Sequence, residues 1–129
     1  MPGKVVHFEI PAKDVKRASA FYKDVFGWWT MEMPGVDYTM LGGTKVSEKG
    51  EYSEPGSING GMMKRTKPFE HPIITIDVDD INASLKDIEK KGGKTLRKKQ
   101  DIGQNMGFTA YFIDTEGNVM GLYQRGKKP

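Results

Sequence analysis

One supersecondary unit recurs in this chain at a fixed distance, and that recurrence restricts the possible folds more than any other feature. His7-Phe8-Glu9-Ile10-Pro11-Ala12-Lys13-Asp14 is a short alternating run that leads into an aspartate and an amphipathic helix. Ile73-Ile74-Thr75-Ile76-Asp77-Val78-Asp79-Asp80 does the same, 66 positions after His7. The helices that follow stop at Gly27 and Gly93, again 66 positions apart. Half of 129 residues is marginal as an independent domain. A sheet of that size exposes an apolar face unless a partner module or a second chain covers it. Pairing is the expected outcome.

The local pattern supports the same unit twice. In Val5 to Ile10, Val6, Phe8 and Ile10 point one way and Val5, His7 and Glu9 the other, so a histidine and a glutamate share one strand face. Asp14 can cap the free backbone donors of a first turn, and Val15, Ala18, Tyr22, Val25 and Phe26 recur at helical spacing. Strands are predicted over Trp28 to Met33, Tyr38 to Leu41 and Ser57 to Met63, with the polar stretch Ser47 to Gly56 as a loop and Arg65 to Glu70 as a linker. The second half predicts a strand over His71 to Val78, a helix capped by Asp80 with the stripe Ile81, Leu85 and Ile88, and strands over Lys94 to Arg97, Phe108 to Asp114 and Asn118 to Gln124. The fold class is α+β: two tandem βαβββ modules, about 4–65 and 71–125, forming one domain over 1–129 with a concave site, their strand order not being set by the pattern.

Composition excludes several function classes. There is no cysteine, which removes disulfides, thiolate metal sites and thiol nucleophiles. No run approaches the ~18 apolar residues of a membrane span and no signal peptide is visible, so a soluble cytoplasmic protein without membrane partners is expected. Twenty basic against seventeen acidic residues leave a net charge of +3 on a mixed surface. The clusters Lys90-Lys91, Arg97-Lys98-Lys99 and Arg125-Gly126-Lys127-Lys128 read as solvated surface, because no nucleic-acid-binding motif accompanies them. No phosphate loop, nucleophile elbow or HExxH helix is present.

With these pieces in order, the chain resembles the vicinal oxygen chelate superfamily, which includes lactoylglutathione lyase (glyoxalase), bleomycin-resistance proteins and extradiol dioxygenases. The residues that carry the likeness are His7 ahead of Lys13-Asp14-Val15, Ala20-Phe21-Tyr22 with Phe26-Gly27, Val78-Asp79-Asp80-Ile81 with Gly92-Gly93, and Asp114-Thr115-Glu116-Gly117-Asn118 before an apolar last strand. The resemblance implies a curved mixed sheet with a concave cup, and in it a divalent-metal site with one ligand from the first and fourth strand of each module. Carried over position by position, these ligands fall on His7, on Ile73, on Gly121 and within Asn59-Gly60-Gly61, so only His7 offers a donor of the required kind. That pattern is similar to the ligand-poor, lactoylglutathione lyase-related branch.

The residue reading that results is a cup for a small apolar or aromatic molecule. Its lining is expected from Trp28 and Trp29 (one of which must face away), Gly60, Ile73, Thr75, Gly121 and Tyr123. His7 and Glu9 are the candidate catalytic pair, since a carboxylate raises the basicity of a neighbouring imidazole. Met40, Met62, Met63 and Met120 are available as adaptable lining or as core. No metal and no cofactor is expected; the alternative is a rebuilt metal site from His7, Glu9 and His71. Whether the protein only binds or also carries out isomerase or lyase chemistry stays open, as does a purely structural role, and a homodimer is expected.

Overall fold

The computed structural model describes residues 2–45 and 54–126, so most of the Ser47 to Gly56 loop and the end of the basic tail lie outside the described residues. Element order is β1 (Val5–Ala12), α1 (Val15–Phe26), β2 (Trp29–Glu32), β3 (Thr39–Gly42), β4 (Gly60–Lys64), β5 (Ile73–Asp77), α2 (Ile81–Lys90), β6 (Lys94–Asp101), β7 (Phe108–Ile113) and β8 (Val119–Gln124). This is βαβββ twice, an α+β fold. Contacts divide the chain into His7–Pro72 and a second unit that joins the residues before His7 to those from Ile73 onward. The division therefore falls inside β1 and not ahead of it. The Lys4 carbonyl accepts from the Asp77 N–H at 2.8 Å, which ties the N-terminal segment to β5.

In the His7–Pro72 unit the strand order is β2-β3-β4-β1. β1 and β4 are parallel, and the other two pairs are antiparallel. Helix α1 starts where the Asp14 carboxylate accepts from the Arg17 N–H at 3.0 Å, and ends where Gly27, at φ 71°, donates its N–H to the Lys23 carbonyl at 2.9 Å. Only glycine adopts that left-handed backbone without steric cost. Beneath the helix, Ala12, Leu41 and Met62 form a buried cluster joined by Ile10, Val15, Ala18, Tyr22 and Trp28. Val25 and Phe26, which recur at helical spacing with Val15, Ala18 and Tyr22, are more than half exposed, as is Phe21. Trp28 stacks on Tyr22 at 5.0 Å and lies 6.1 Å from the Phe26 ring, so it takes the place against the sheet that the last helical turn would otherwise fill.

The second unit repeats the arrangement: strand order β5-β8-β7-β6, with β5 and β8 parallel and the remaining pairs antiparallel. The Asp80 carboxylate accepts from the Ala83 N–H at 3.2 Å, and the Gln124 side chain accepts from the Ile81 N–H at 2.9 Å. Here the helix does bury its stripe: Ile81 and Leu85 pack with Ala110, Phe112 and Leu122. β6 extends to Asp101, beyond the predicted end at Arg97. It closes one end of the strand order, carries two register shifts, and lays Lys99 over the Phe108 ring at 4.3 Å. A lysine-rich, irregular edge strand has no apolar alternation to betray it. Among the described residues no helix is long and apolar enough to cross a membrane.

Unfolding in urea should separate the two kinds of apolar position on the first unit. Leu41, fully buried, should cost about 2–5 kcal/mol on change to Ala. Val25→Ala, at 58% exposure, should stay within about 0.5 kcal/mol. Equal effects would mean that α1 carries the core after all.

Candidate functional site

Strand alternation gives the His7–Pro72 unit two distinct faces. One carries the buried cluster under α1. The other is set by the cross-strand register Glu9–Gly61–Met40–Met31, with Trp29 opposite Gly42 and Met63 opposite Pro11. Residues directly paired across strands lie on the same face. His7, Glu9, Trp29, Met31, Met40 and Met63 therefore share one surface, and it is the surface turned away from the helix.

Tyr38 binds the polar part of this face together. It follows the Pro34–Asp37 turn, where its carbonyl accepts from the Met33 N–H at 3.0 Å, and so arrives immediately before β3. Its hydroxyl donates to Glu9 Oε2 at 2.7 Å and lies 2.9 Å from His7 Nε2. The phenol thus bridges two side chains that stand about 7 Å apart along one strand. Its reach across β4 depends on Gly61: a Cβ at that position would overlap the Tyr38 ring and hydroxyl. Glu9 is buried and His7 half-buried. Burial holds the His7 imidazole below its ordinary value of 6.5, while the Glu9 charge pulls it partly back up.

Trp29 is held at the edge of the same face. Its Nε1–H donates to the Thr44 carbonyl at 2.9 Å. Asn59, itself buried, clamps the same residue from the other side, donating to that carbonyl at 2.9 Å and accepting from the Thr44 N–H at 3.2 Å. A side chain at Gly42 would collide with Asn59, so glycine there lets the clamp close. Trp28, by contrast, lies on the helix side against Tyr22 and Phe8. Gly60 is also on that side, where the Phe8 ring occupies the place of its missing side chain. Met62 is core, and Met120 packs against the core of the second unit.

The remaining candidates belong to the second unit, apart from His71. Ile73 and Thr75 are both buried on one face of β5. Gly121 pairs with Thr75, and a Cβ there would sit 2.8 Å from Thr75 Oγ1. The Tyr123 hydroxyl donates to the Met106 carbonyl at 2.6 Å, which commits it to the loop before β7. His71 is exposed in the bend before Pro72. Among the described residues no three His, Asp or Glu side chains come together in a group able to hold a metal ion.

Tyr38 was not among the residues singled out from sequence. The available signal was its alternation with Met40 and Gly42 on one strand face. Only the register of β3 against β4 reveals that this face meets a glycine and, beyond it, Glu9.

Comparison with known proteins agrees with the fold. Residues 4–44 match the bleomycin resistance protein-like N-terminal family. A glyoxylase-like domain-containing protein of Didymella fabae is 32% identical over 130 residues, covering 98% of this chain and 97% of that protein. Human mitochondrial methylmalonyl-CoA epimerase is 32% identical over 108 residues, which cover 78% of this chain but only 61% of the epimerase. The structure of Streptomyces coelicolor methylmalonyl-CoA epimerase in complex with 2-nitronate-propionyl-CoA superposes with a TM-score of 0.65 at 16% identity, covering 98% of this chain and 100% of that one. On the full-length similarity to the glyoxylase-like protein, the chain belongs to the glyoxalase/bleomycin-resistance family of the vicinal oxygen chelate superfamily.

Proposed function

We propose that this protein binds a small organic molecule on the face that carries His7, Glu9, Trp29, Met31, Met40 and Met63, and moves a proton on it with His7 as the base. The observation that carries this reading is the hydrogen-bonded His7–Tyr38–Glu9 group on an otherwise apolar, thioether- and indole-bearing surface. A half-buried imidazole held below its ordinary value is neutral near pH 7 and so able to accept a proton. The nearby carboxylate favours the imidazolium once it forms. Kinship with epimerases favours abstraction and return of a proton next to a carbonyl over the lyase reaction of other family members. An acyl thioester with an acidic α-carbon is the substrate class that this chemistry suits.

The donor set that the family's metal would need does not fit. A buried isoleucine at 73 and a glycine at 121 supply no ligand atom, His7 Nε2 is engaged by Tyr38, and His71 is exposed. One imidazole does not hold a divalent ion against water. The reading is therefore a metal-independent one, in a cytoplasmic homodimer. The exposed Phe21, Val25 and Phe26 supply apolar surface of the kind that association covers. Binding without turnover is the second reading, favoured by the methionines of the same face, which adapt to several ligand shapes.

Three measurements test these statements. Incubated in D2O with methylmalonyl-CoA as probe, the protein should exchange the α-proton, and His7→Gln should lose about 10²–10⁴-fold of that rate. Binding of the probe with no exchange above background would leave only the sequestering role. Elemental analysis of protein prepared without added metal should find far less than one divalent ion per chain; a stoichiometric ion removable by EDTA would sink the metal-independent reading. The third measurement is stability against pH. Because the folded His7 value lies below the unfolded 6.5, the unfolded chain binds more protons in that window. The stability that His7 contributes is complete above about pH 6.5 and is lost as pH falls through the folded value. His7→Gln should flatten that part of the profile.

A further inference from the structure

We infer that Tyr38 is a positioning residue that fixes His7 in the Nε2–H tautomer and so makes Nδ1 the nitrogen that accepts a proton. This rests on the proposed role of His7 as a base, and it names the atom.

The argument is one of donors and acceptors. A carboxylate can only accept, so the single proton of the Tyr38 hydroxyl is spent on Glu9 Oε2 at 2.7 Å. The phenol oxygen then faces His7 Nε2 at 2.9 Å with lone pairs only, and Nε2 must carry the hydrogen. A neutral imidazole has one N–H, which leaves the lone pair on Nδ1. Among the described residues Nδ1 has no hydrogen-bond partner. The opposite arrangement, with Tyr38 donating to His7, would set two acceptor oxygens against each other at 2.7 Å unless Glu9 itself carried a proton. Charge-assisted bonds to the phenol make the first arrangement the stronger one.

The chain thus holds a carboxylate–phenol–imidazole array in which tyrosine separates the two groups that would meet directly in a carboxylate–histidine pair. In the reaction step the α-carbon–hydrogen bond breaks, its electron pair passes into the adjacent carbonyl as an enolate, and the proton forms an N–H bond at Nδ1. The array does not itself move a proton. It holds the ring orientation, and it aligns the Glu9 charge behind the imidazolium that forms.

Gly61 is the second part of the inference. The phenol occupies the space in which any larger residue at 61 would place its Cβ. A side chain there would force the ring off the β4 backbone and break the bridge.

Long-range ¹H–¹⁵N spectra of uniformly labelled protein above neutral pH test this without reference to turnover. The chain has two histidines, and His71→Gln assigns them. His7 is expected as a protonated, pyrrole-like Nε2 with a pyridine-like Nδ1. In Tyr38→Phe, which keeps the ring and removes the hydroxyl, the two nitrogen shifts should move toward the averaged values of a mixed tautomer while His71 stays put. Gly61→Ala should produce the same movement with Tyr38 intact. A wild-type His7 protonated at Nδ1, or an unchanged tautomer in Tyr38→Phe, would overturn the inference. The expected tautomer pattern would support it even if no α-proton exchange were found, a result that counts only against His7 as a base.

Discussion

Each module closes by laying its last strand in parallel beside its first, and the closeness of that pairing governs what the face can carry. In the His7–Pro72 unit the pair is β1 with β4, and the β4 positions opposite Phe8 and Glu9 are both glycine. In the second unit it is β5 with β8, and the position opposite Thr75 is glycine again. Glycine within a strand weakens it and gives up a side chain that could pack. It is retained here where a neighbour claims the space: the Phe8 ring over Gly60, the Tyr38 phenol over Gly61 and the Thr75 hydroxyl at Gly121. At all three positions the room left by the glycine is taken by a neighbouring side chain.

A cation site needs several donors converging with their lone pairs free. Among the described residues no such cluster forms, and the candidate face carries one imidazole whose Nε2 is already hydrogen-bonded, one buried carboxylate and a phenol between them. On the reading proposed above, such a group accepts a proton, since burial holds the imidazole below its ordinary value while the carboxylate partly offsets that shift. The surrounding indole and thioethers offer contact area and few hydrogen bonds.

The two units also differ in how firmly their helices are seated. α2 buries Ile81 and Leu85, whereas α1 fully buries no residue and leaves two phenylalanines in water. The candidate face thus belongs to the unit whose helix is the more lightly seated of the two. What keeps the register there is the interstrand network, notably the Asn59 clamp on Thr44, which also receives the Trp29 indole. Buried polar groups satisfied in this way favour one register, since a slip would strand both an amide and a carbonyl.

Most of the architecture was legible in the sequence because it rests on local signals: the 66-residue repeat, Asp14 and Asp80 as caps, Gly27 as a stop, and strand alternation that put His7 beside Glu9. The same signals fail where no apolar period exists, as in the lysine-rich β6, or where an aromatic from outside the helix takes the helix's place on the sheet, as Trp28 does. Alternation likewise could not say which glycine of Gly60-Gly61 faces the candidate surface, since that is decided by the register against β1. The βαβββ repeat and the shared face of His7 and Glu9 were fixed by residue identity and spacing along one strand or helix. Only the tertiary structure decided that Tyr38 links the pair. A hydrogen bond between residues 29 and 31 positions apart depends on strand register and on the clearance above one glycine, neither of which has a local signature.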